Sequence, residues 1–462
     1  MTEEERKDIN HQSEHQLVGV SGELIQNVIK VLDDKDIAAL NQLTEPLHIA
    51  DVADLIAKLD HDHRRIMLDM IKYRMDPDVL SYLEDHVKDN VLEVLGTDWL
   101  AEAMAGLETD DALNIIKDLE VPQQEEILKS ISAQDSAMLR EAMAYPEDSA
   151  GQLMQREVVS VPSFWTVKET LDFIRESDAL PDHFYEIYVV DPKHKPIGGI
   201  YLDKLLRHKD HIPVSEVMRT DIKTILVTTD QEEAAVLFSH YDLLSAPVVD
   251  ESSRIVGMIT VDDVVDVIEE EAEEDLLHLA GLGESDFHAP VWRTSMSRAQ
   301  WLVITLINTL IAASVISQFE AAIQEKVALA FLMVIVAAIG GSAGMQTVTV
   351  TVRALATQEL QDTNYHKALI KELIVAIING FGFAIVLGLI AGFWLGDIEI
   401  GFVLGGAVLC NMLWAAFAGT ILPVLVQRIG MDPAISAGPL LSTTTDIIGY
   451  AIFLGFASYF LL

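Results

Sequence analysis

Five long apolar stretches close this chain, and they constrain its fold more than any other feature. They run at about 299–319, 327–350, 372–395, 401–427 and 434–461. Each exceeds the roughly 20 residues that a helix needs to cross about 30 Å of hydrocarbon. Lipid offers no partner to an unpaired backbone N–H or C=O, so spans of this kind fold as helices.

The rest of the chain has the opposite character. The whole chain of 462 residues carries a formal net charge of −41. From residue 291 onward nine acids meet seven Lys and Arg, which leaves 63 acids against 24 bases before it. A surface that negative repels nucleic acid and anionic lipid and accumulates cations, so no nucleic-acid partner is expected. The single cysteine, Cys410, lies in an apolar run and excludes an internal disulfide. The opening "MTEEERKDIN" has no apolar core and is not read as a secretory signal. The acidic part is therefore expected on the cytoplasmic side of a cell membrane. Basic residues agree: Arg293, Arg298, Arg353, Lys367, Lys371 and Arg428 then lie inside, and only Lys326 lies outside. Five spans put the C-terminus outside.

Four regions precede or join the spans. Residues 1–19 are polar and expected to fray. Residues 20–148 show apolar residues at helical spacing, as in "VADLIAKLDHDHRRIMLDMI", echoed by "DALNIIKDLEVPQQEEILKSI". Short helices stacked as an acidic solenoid account for that pattern. Residues 149–265 hold a tandem repeat: "YVVDPKHKPIGGIYLDKLL" matches "PVVDESSRIVGMITVDDVV", and "LMQREVVSVPSFWTVKETLDFI" matches "VMRTDIKTILVTTDQEEAAVLF". Each copy reads as strand, helix, strand, turn, strand, helix, and two such α/β copies are expected to pack as an internal pseudo-dimer. Residues 266–290 form an acidic connecting helix into the transmembrane domain, 291–462.

Asp446 sits inside the fifth span. An embedded carboxylate costs about 2.5–3.5 kcal/mol on insertion scales, so a function is the default reading. Gly438, Ser442, Asp446 and Gly449 follow one helix stripe, bordered by Thr445, and an oxygen-rich stripe suits a hard cation. The competing reading is a hydrogen bond that joins two helices. The second span carries "GGSAGMQTVTVT", in which Gly340 and Gly344 favour close packing. Ser342, Gln346, Thr347, Thr349 and Thr351 exceed what packing needs, and the glycines suggest a partly unwound helix with carbonyls facing a cavity. No His/Cys cluster, nucleotide fingerprint or nucleophile–base pair appears in the spans, so nothing supports an enzyme there. On the connecting helix Asp263, Asp266, Glu270, Glu271, Glu274 and Asp275 crowd one another at i, i+3 and i+4. Such a run is either a solvated linker or a divalent-cation sensor, with Asp98 and Glu102 as candidate facing acids.

The order of acidic solenoid, repeat resembling CBS domains, acidic helix and five spans resembles the MgtE family of magnesium channels. "GGSAGMQTVTVTVRALATQEL", "GMDPAISAGPLLSTTTD" and "TVDDVVDVIEEEAEED" carry the likeness. The resemblance implies a homodimer with its pore on the two-fold axis, lined by spans two and five. It implies that Asp446 holds hydrated Mg²⁺ and that Asp432 is a second pore acid at the cytoplasmic end. It implies gating by cytoplasmic Mg²⁺ at Asp263, Asp266, Glu271, Glu274 and Asp275, with Asp98 and Glu102, the connecting helix serving as a plug. Some CBS pairs of the family bind adenine nucleotides. Ser342 replaces a common Asn and Ser442 a smaller residue, which opens the choice between Mg²⁺ and Co²⁺. Two other readings stay open at this point: an ion-coupled divalent-cation carrier or exporter, and a membrane-anchored CBS nucleotide sensor.

Overall fold

The computed structural model describes residues 19–461 except 84, 178–179, 182, 281, 283–290, 361–363 and 437. The stretch expected to fray lies, up to residue 18, outside the described residues. The chain divides into two units, one up to Val265 and one from Asp266.

The first unit opens with short helices, each started by a side chain that meets the free N–H groups of its first turn. Ser21 accepts from the Leu24 N–H, Asp36 from Ala38 and Ala39, and Asp60 from His63. The echo seen in the sequence is a structural one: His61–Ile71 follows Ile49–Lys58 as Val121–Ser130 follows Thr109–Lys117. One apolar core runs through the stack from Val20 to Ala142, with Leu32, Leu55, Leu68, Leu80 and Leu113 fully buried. Stacked short helices bury one face against each neighbour, as the solenoid reading expects.

The repeat folds as two three-stranded sheets. In the first, β1 (Ser160–Pro162) pairs parallel to β2 (Glu186–Val190), which pairs antiparallel to β3 (Pro196–Tyr201). In the second, β4 (Ile225–Leu226), β5 (Ser245–Val249) and β6 (Ile255–Thr260) repeat that order. Each central strand shifts register at the same place, Val189/Val190 and Val248/Val249. The copies are interlocked by exchange. The segment leading copy one bonds to the last strand of copy two, Gln155 with Met258, at 2.9 Å in both directions. The segment leading copy two bonds to copy one, Gly199 with Arg219, at 3.0 and 2.9 Å. A Cβ at Gly257 would stand 2.7 Å from the Met154 sulfur, and one at Gly198 would stand 2.6 Å from the Met218 sulfur. Tyr188, fully buried, donates to the Ser245 hydroxyl at 2.9 Å across the pair. This reciprocity is the pseudo-dimer the repeat predicted. The acidic helix that follows is continuous over Val261–Leu279 and so begins inside the residues assigned from sequence to the repeat.

Among the described residues of the second unit, five helices are long and apolar enough to span a membrane: Thr294–Ser317, Ala328–Ala356, Tyr365–Leu395, Ile398–Arg428 and Pro433–Phe460. The fourth span is the most enclosed and packs against the second, third and fifth. The second span differs from the unwound form expected: it is one unbroken helix through Gly340–Gly344. Its glycines serve contact instead. Asn411 of the fourth span is fully buried between Gly340 of the second and Gly449 of the fifth, and its amide donates to the Val336 carbonyl at 3.0 Å. A Cβ at Gly449 would stand 2.7 Å from the Asn411 amide nitrogen, and one at Gly340 would overlap it. Gly344 likewise admits Leu441, whose side chain lies 3.2 Å from the Cβ position.

Gly340→Ala should therefore destabilise the folded protein, since overpacking a filled site costs about 1–3 kcal/mol. The loss should be partly reversed in Gly340→Ala/Asn411→Ala, because neighbours that share one slot are not additive. Thermal unfolding of the detergent-solubilised protein checks this; two independent, additive losses would contradict the shared slot.

Candidate metal centres

Acids gather in two places, one in each unit. In the first unit the helix Thr109–Lys117 begins at the junction with the repeat. Glu108 is its N-cap residue, and Asp110 and Asp111 lie in its first turn, where the helix dipole favours negative charge. Gln155 donates its amide to Glu108 at 3.1 Å, and Thr109 donates its hydroxyl to Glu157 at 2.8 Å. The helix is thereby fixed against the segment that leads the repeat. Asp263, at the start of the acidic helix, accepts from the Thr260 hydroxyl at 2.6 Å.

The electrostatics of this group are those of carboxylates short of counter-charge. Burial pushes Glu108 up to about 7, helped by the charges of Asp111 and Asp263. Burial also pushes Asp263 up to about 7, against the hydrogen bonds from Thr260 and with the charge of Asp262. Asp110 is held well above the ordinary carboxylate range by burial and by Asp263, Asp111 and Glu108, and its Oδ1 is buried without a partner. Asp111 is raised by burial and held back by Ser81 and Lys88. Each acid must take up a proton or meet a cation. Among the described residues no three His, Cys, Asp or Glu side chains converge into a direct coordination shell.

Asp98 and Glu102, expected to face the acidic helix, lie exposed on the helix Thr97–Ala103. The acids that Asp263 does meet, Glu108, Asp110 and Asp111, were not singled out from the sequence. The signal was there as "LETDD", three acids at a helix start, but nothing local says that this turn is buried.

In the second unit the far end of the acidic helix meets the turn before the fifth span. His278 Nδ1 lies 2.7 Å from Asp432 and 3.7 Å from Glu274. Asp275 is raised by burial and by the charge of Asp432, with His278 acting against both. Leu279 packs against the apolar cluster of Val348, Ala434 and Leu441. His278 was not read from the sequence either, although it stands four residues beyond Glu274. Along the same helix Asp266 and Glu274 are exposed, and Glu271 is half-buried.

Within the spans the expected oxygen donors divide. Ser342 and Gln346 lie exposed one turn apart on the second span; Ser442 is exposed and Asp446 half-buried on the fifth. The two helices pack against each other. Thr445 is different: it is fully buried and donates into its own helix, to Leu441 at 3.1 Å and Ser442 at 3.0 Å. Thr347 and Thr351 also donate to carbonyls one turn back, at 3.2 and 2.8 Å, which leaves little for an ion. Thr347 in turn reaches Glu372 of the third span at 3.4 Å, an acid the sequence reading passed over. Gly449, at the end of the stripe, is buried against Asn411.

Comparison with known proteins follows this geometry. Residues 333–456 match the MgtE family described as a divalent cation transporter, 47–148 the MgtE intracellular N domain, and 150–211 and 214–270 the CBS domain. A magnesium transporter MgtE of Thermus thermophilus is 32% identical over 93% of this chain and 96% of its own length. One of Bacillus subtilis is 29% identical over 95% of this chain and 98% of its own length. The crystal structure of the cytosolic domain of the Mg²⁺ channel MgtE in complex with ATP is similar at a TM-score of 0.50 and 32% identity, covering 53% of this chain and 99% of that one. Identity at that level over nearly the whole of both chains shows that this chain belongs to the MgtE family of magnesium transporters.

Proposed function

We propose that this chain conducts Mg²⁺ across a cell membrane as a homodimer and that cytoplasmic Mg²⁺ closes it. One observation carries the reading: polar side chains in the middle of apolar spans are left uncovered by a single chain. Ser342, Gln346, Ser442 and Asp446 would face lipid in a monomer, at a cost of several kcal/mol for the carboxylate alone. A second copy related by a two-fold axis covers the same surface and brings two Asp446 carboxylates to one axis. Two carboxylates match the charge of one divalent cation, while the hydroxyls and amide suit its retained waters. Asp432, bonded to His278, marks the cytoplasmic end of that path, with the first unit on the cytoplasmic side and the C-terminus outside. Co²⁺, with a similar charge and a taste for nitrogen and oxygen donors, is the competing substrate to test.

Closure follows from charge. Without a divalent ion Asp263 repels Glu108, Asp110 and Asp111; with one, the carboxylates share it and the junction tightens. At the other end of the same helix, ions near Asp266, Glu271, Glu274 and Asp275 favour the seated position beside Asp432. Shifting a switch from mostly open to mostly closed takes about 5 kcal/mol of differential binding, which calls for several ions. The similar cytosolic domain was solved with ATP, so the repeat is also a candidate adenine-nucleotide site.

Asp446→Ala should lower Mg²⁺ uptake into proteoliposomes at least tenfold while the protein stays dimeric and folded, as a fluorescent Mg²⁺ indicator would show. Uptake at the parent rate would remove Asp446 from the path. Conductance in planar bilayers without dependence on H⁺ or Na⁺ gradients separates a channel from a coupled carrier.

The junction also gives a pH dependence. Glu108 and Asp263 titrate near 7 in the folded unit and near 4 in an unfolded chain. Between those values the folded state holds protons that the unfolded state has lost. Stability therefore falls as pH rises from about 4 to about 7 and levels off above that. Protease protection at the junction should be weaker at pH 8 than at pH 5.5 without divalent cations, and millimolar Mg²⁺ should restore it at pH 8. Asp110→Asn/Asp263→Asn should flatten both responses; a variant that still gains full protection at the parent Mg²⁺ concentration would show that these acids do not sense the ion.

A further inference from the structure

We infer that Asn411 is a positioning residue for ion selection: its buried amide holds the second and fifth spans at the separation that lets their oxygen donors prefer Mg²⁺ to Ca²⁺. Asn411 lies on the fourth span, fully buried, and acts through the two helices that carry the donors. On the second span a Cβ at Gly340 would overlap its amide nitrogen. On the fifth, a Cβ at Gly449 would stand 2.7 Å from that nitrogen and 3.3 Å from Oδ1. The amide also donates to the Val336 carbonyl at 3.0 Å, which fixes the fourth span along the second as well as across it.

The polar residues of both spans fall between such contacts. On the fifth span Ser442 and Asp446 lie between Leu441, which packs at Gly344, and Gly449, which packs at Asn411. On the second span Ser342 lies between Gly340 and Gly344. Along a helix, Gly449 stands about 4.5 Å from Asp446 and Gly340 about 3 Å from Ser342. Over so short a length the helix is stiff, so a displacement at either glycine passes to the neighbouring donor. Mg²⁺ keeps its waters and demands near-ideal octahedral geometry, whereas Ca²⁺ accepts more oxygens in a looser arrangement. Donors that move slightly therefore penalise Mg²⁺ more than Ca²⁺.

Stability alone does not account for an asparagine here. Its Oδ1 is buried and accepts no hydrogen bond from the described residues. A buried acceptor without a donor is penalised, and an apolar group in its place relieves the penalty. The Val336 carbonyl lies inside a helix and would keep its ladder bond without the amide. Leucine has the same branching with apolar ends, so it would remove the orphan oxygen. Its tetrahedral head is thicker than a planar amide, however, and would push the two glycines apart. It also lacks the donor that selects one axial position. What asparagine supplies at this point is therefore spacing and register.

The inference rests on the Mg²⁺ path proposed above, and the two fail separately. That path fails if Asp446→Ala transports normally; this inference fails if the Mg²⁺-to-Ca²⁺ uptake ratio ignores position 411. The full-length protein in proteoliposomes is assayed for initial uptake of each ion with fluorescent indicators, beside its unfolding temperature in detergent. Asn411→Leu should lower the ratio about tenfold, the scale on which outer-shell partners of a metal act, while the unfolding temperature stays close to the parent's. Gly449→Ala, which pushes the fifth span off the same amide, should lower the ratio likewise. Gly449→Ala/Asn411→Ala should bring it part of the way back, because the two residues share one slot. That rescue decides the matter if Asn411→Leu fails to fold, and a double variant no better than Gly449→Ala would count against the inference. Equal losses for both ions that track the unfolding temperature would reduce Asn411 to a packing residue. A parent ratio in folded Asn411→Leu would overturn the inference outright.

Discussion

A carboxylate taken out of water must take up a proton or meet a positive charge, and both units of this protein are arranged around acids that lack one. In the first unit, Asp110 has a buried oxygen with no partner, beside Glu108 and Asp263. In the second, Asp446 is half-buried in a span and Asp432 leans on a histidine. Under the proposed gating, a mobile divalent cation would meet that shortage in a way a fixed lysine would not, because its arrival and departure would change the shape that is stable.

Under the proposed gating, the helix Val261–Leu279 would give the shortage a mechanical meaning. Its first turn carries Asp263, whose environment belongs to the repeat and the helical stack. Its last turns carry Asp275, His278 and Leu279, whose environment belongs to the spans. One continuous helix thus has a charge-sensitive group at each end. A helix interior transmits displacement along its axis, since its hydrogen-bond ladder resists local bending.

The spans use polarity differently. Asn411 is placed between two glycines and bonded to a carbonyl, so its amide fixes the spacing of the second, fourth and fifth spans. Thr347, Thr351 and Thr445 turn their hydroxyls into their own helices. Polar atoms satisfied in this way cost little in hydrocarbon. Ser342, Gln346 and Ser442 are exposed and Asp446 is half-buried, so these side chains stand apart from the threonines.

Much of the architecture was legible before any fold was known. Five apolar runs dictate spanning helices, because hydrocarbon leaves the backbone no alternative. The tandem match dictates two like sheets, and Gly198 and Gly257 recur at the same position because each must admit a methionine of the other copy's leading segment. Asp446 was visible as a charge in the wrong solvent. What the sequence left open was decided by contacts between residues far apart in the chain. The glycines at 340 and 344 are equally compatible with unwinding and with close packing; Asn411 and Leu441 settle it as packing. "LETDD" looks like any helix start until the repeat buries it, and His278 looks like any surface histidine until Asp432 comes within 2.7 Å. Periodicity reports which face of an element is apolar, a local property written in one stretch of chain. Which carboxylate loses its water depends on what packs over it, and only the tertiary structure brings that partner from elsewhere.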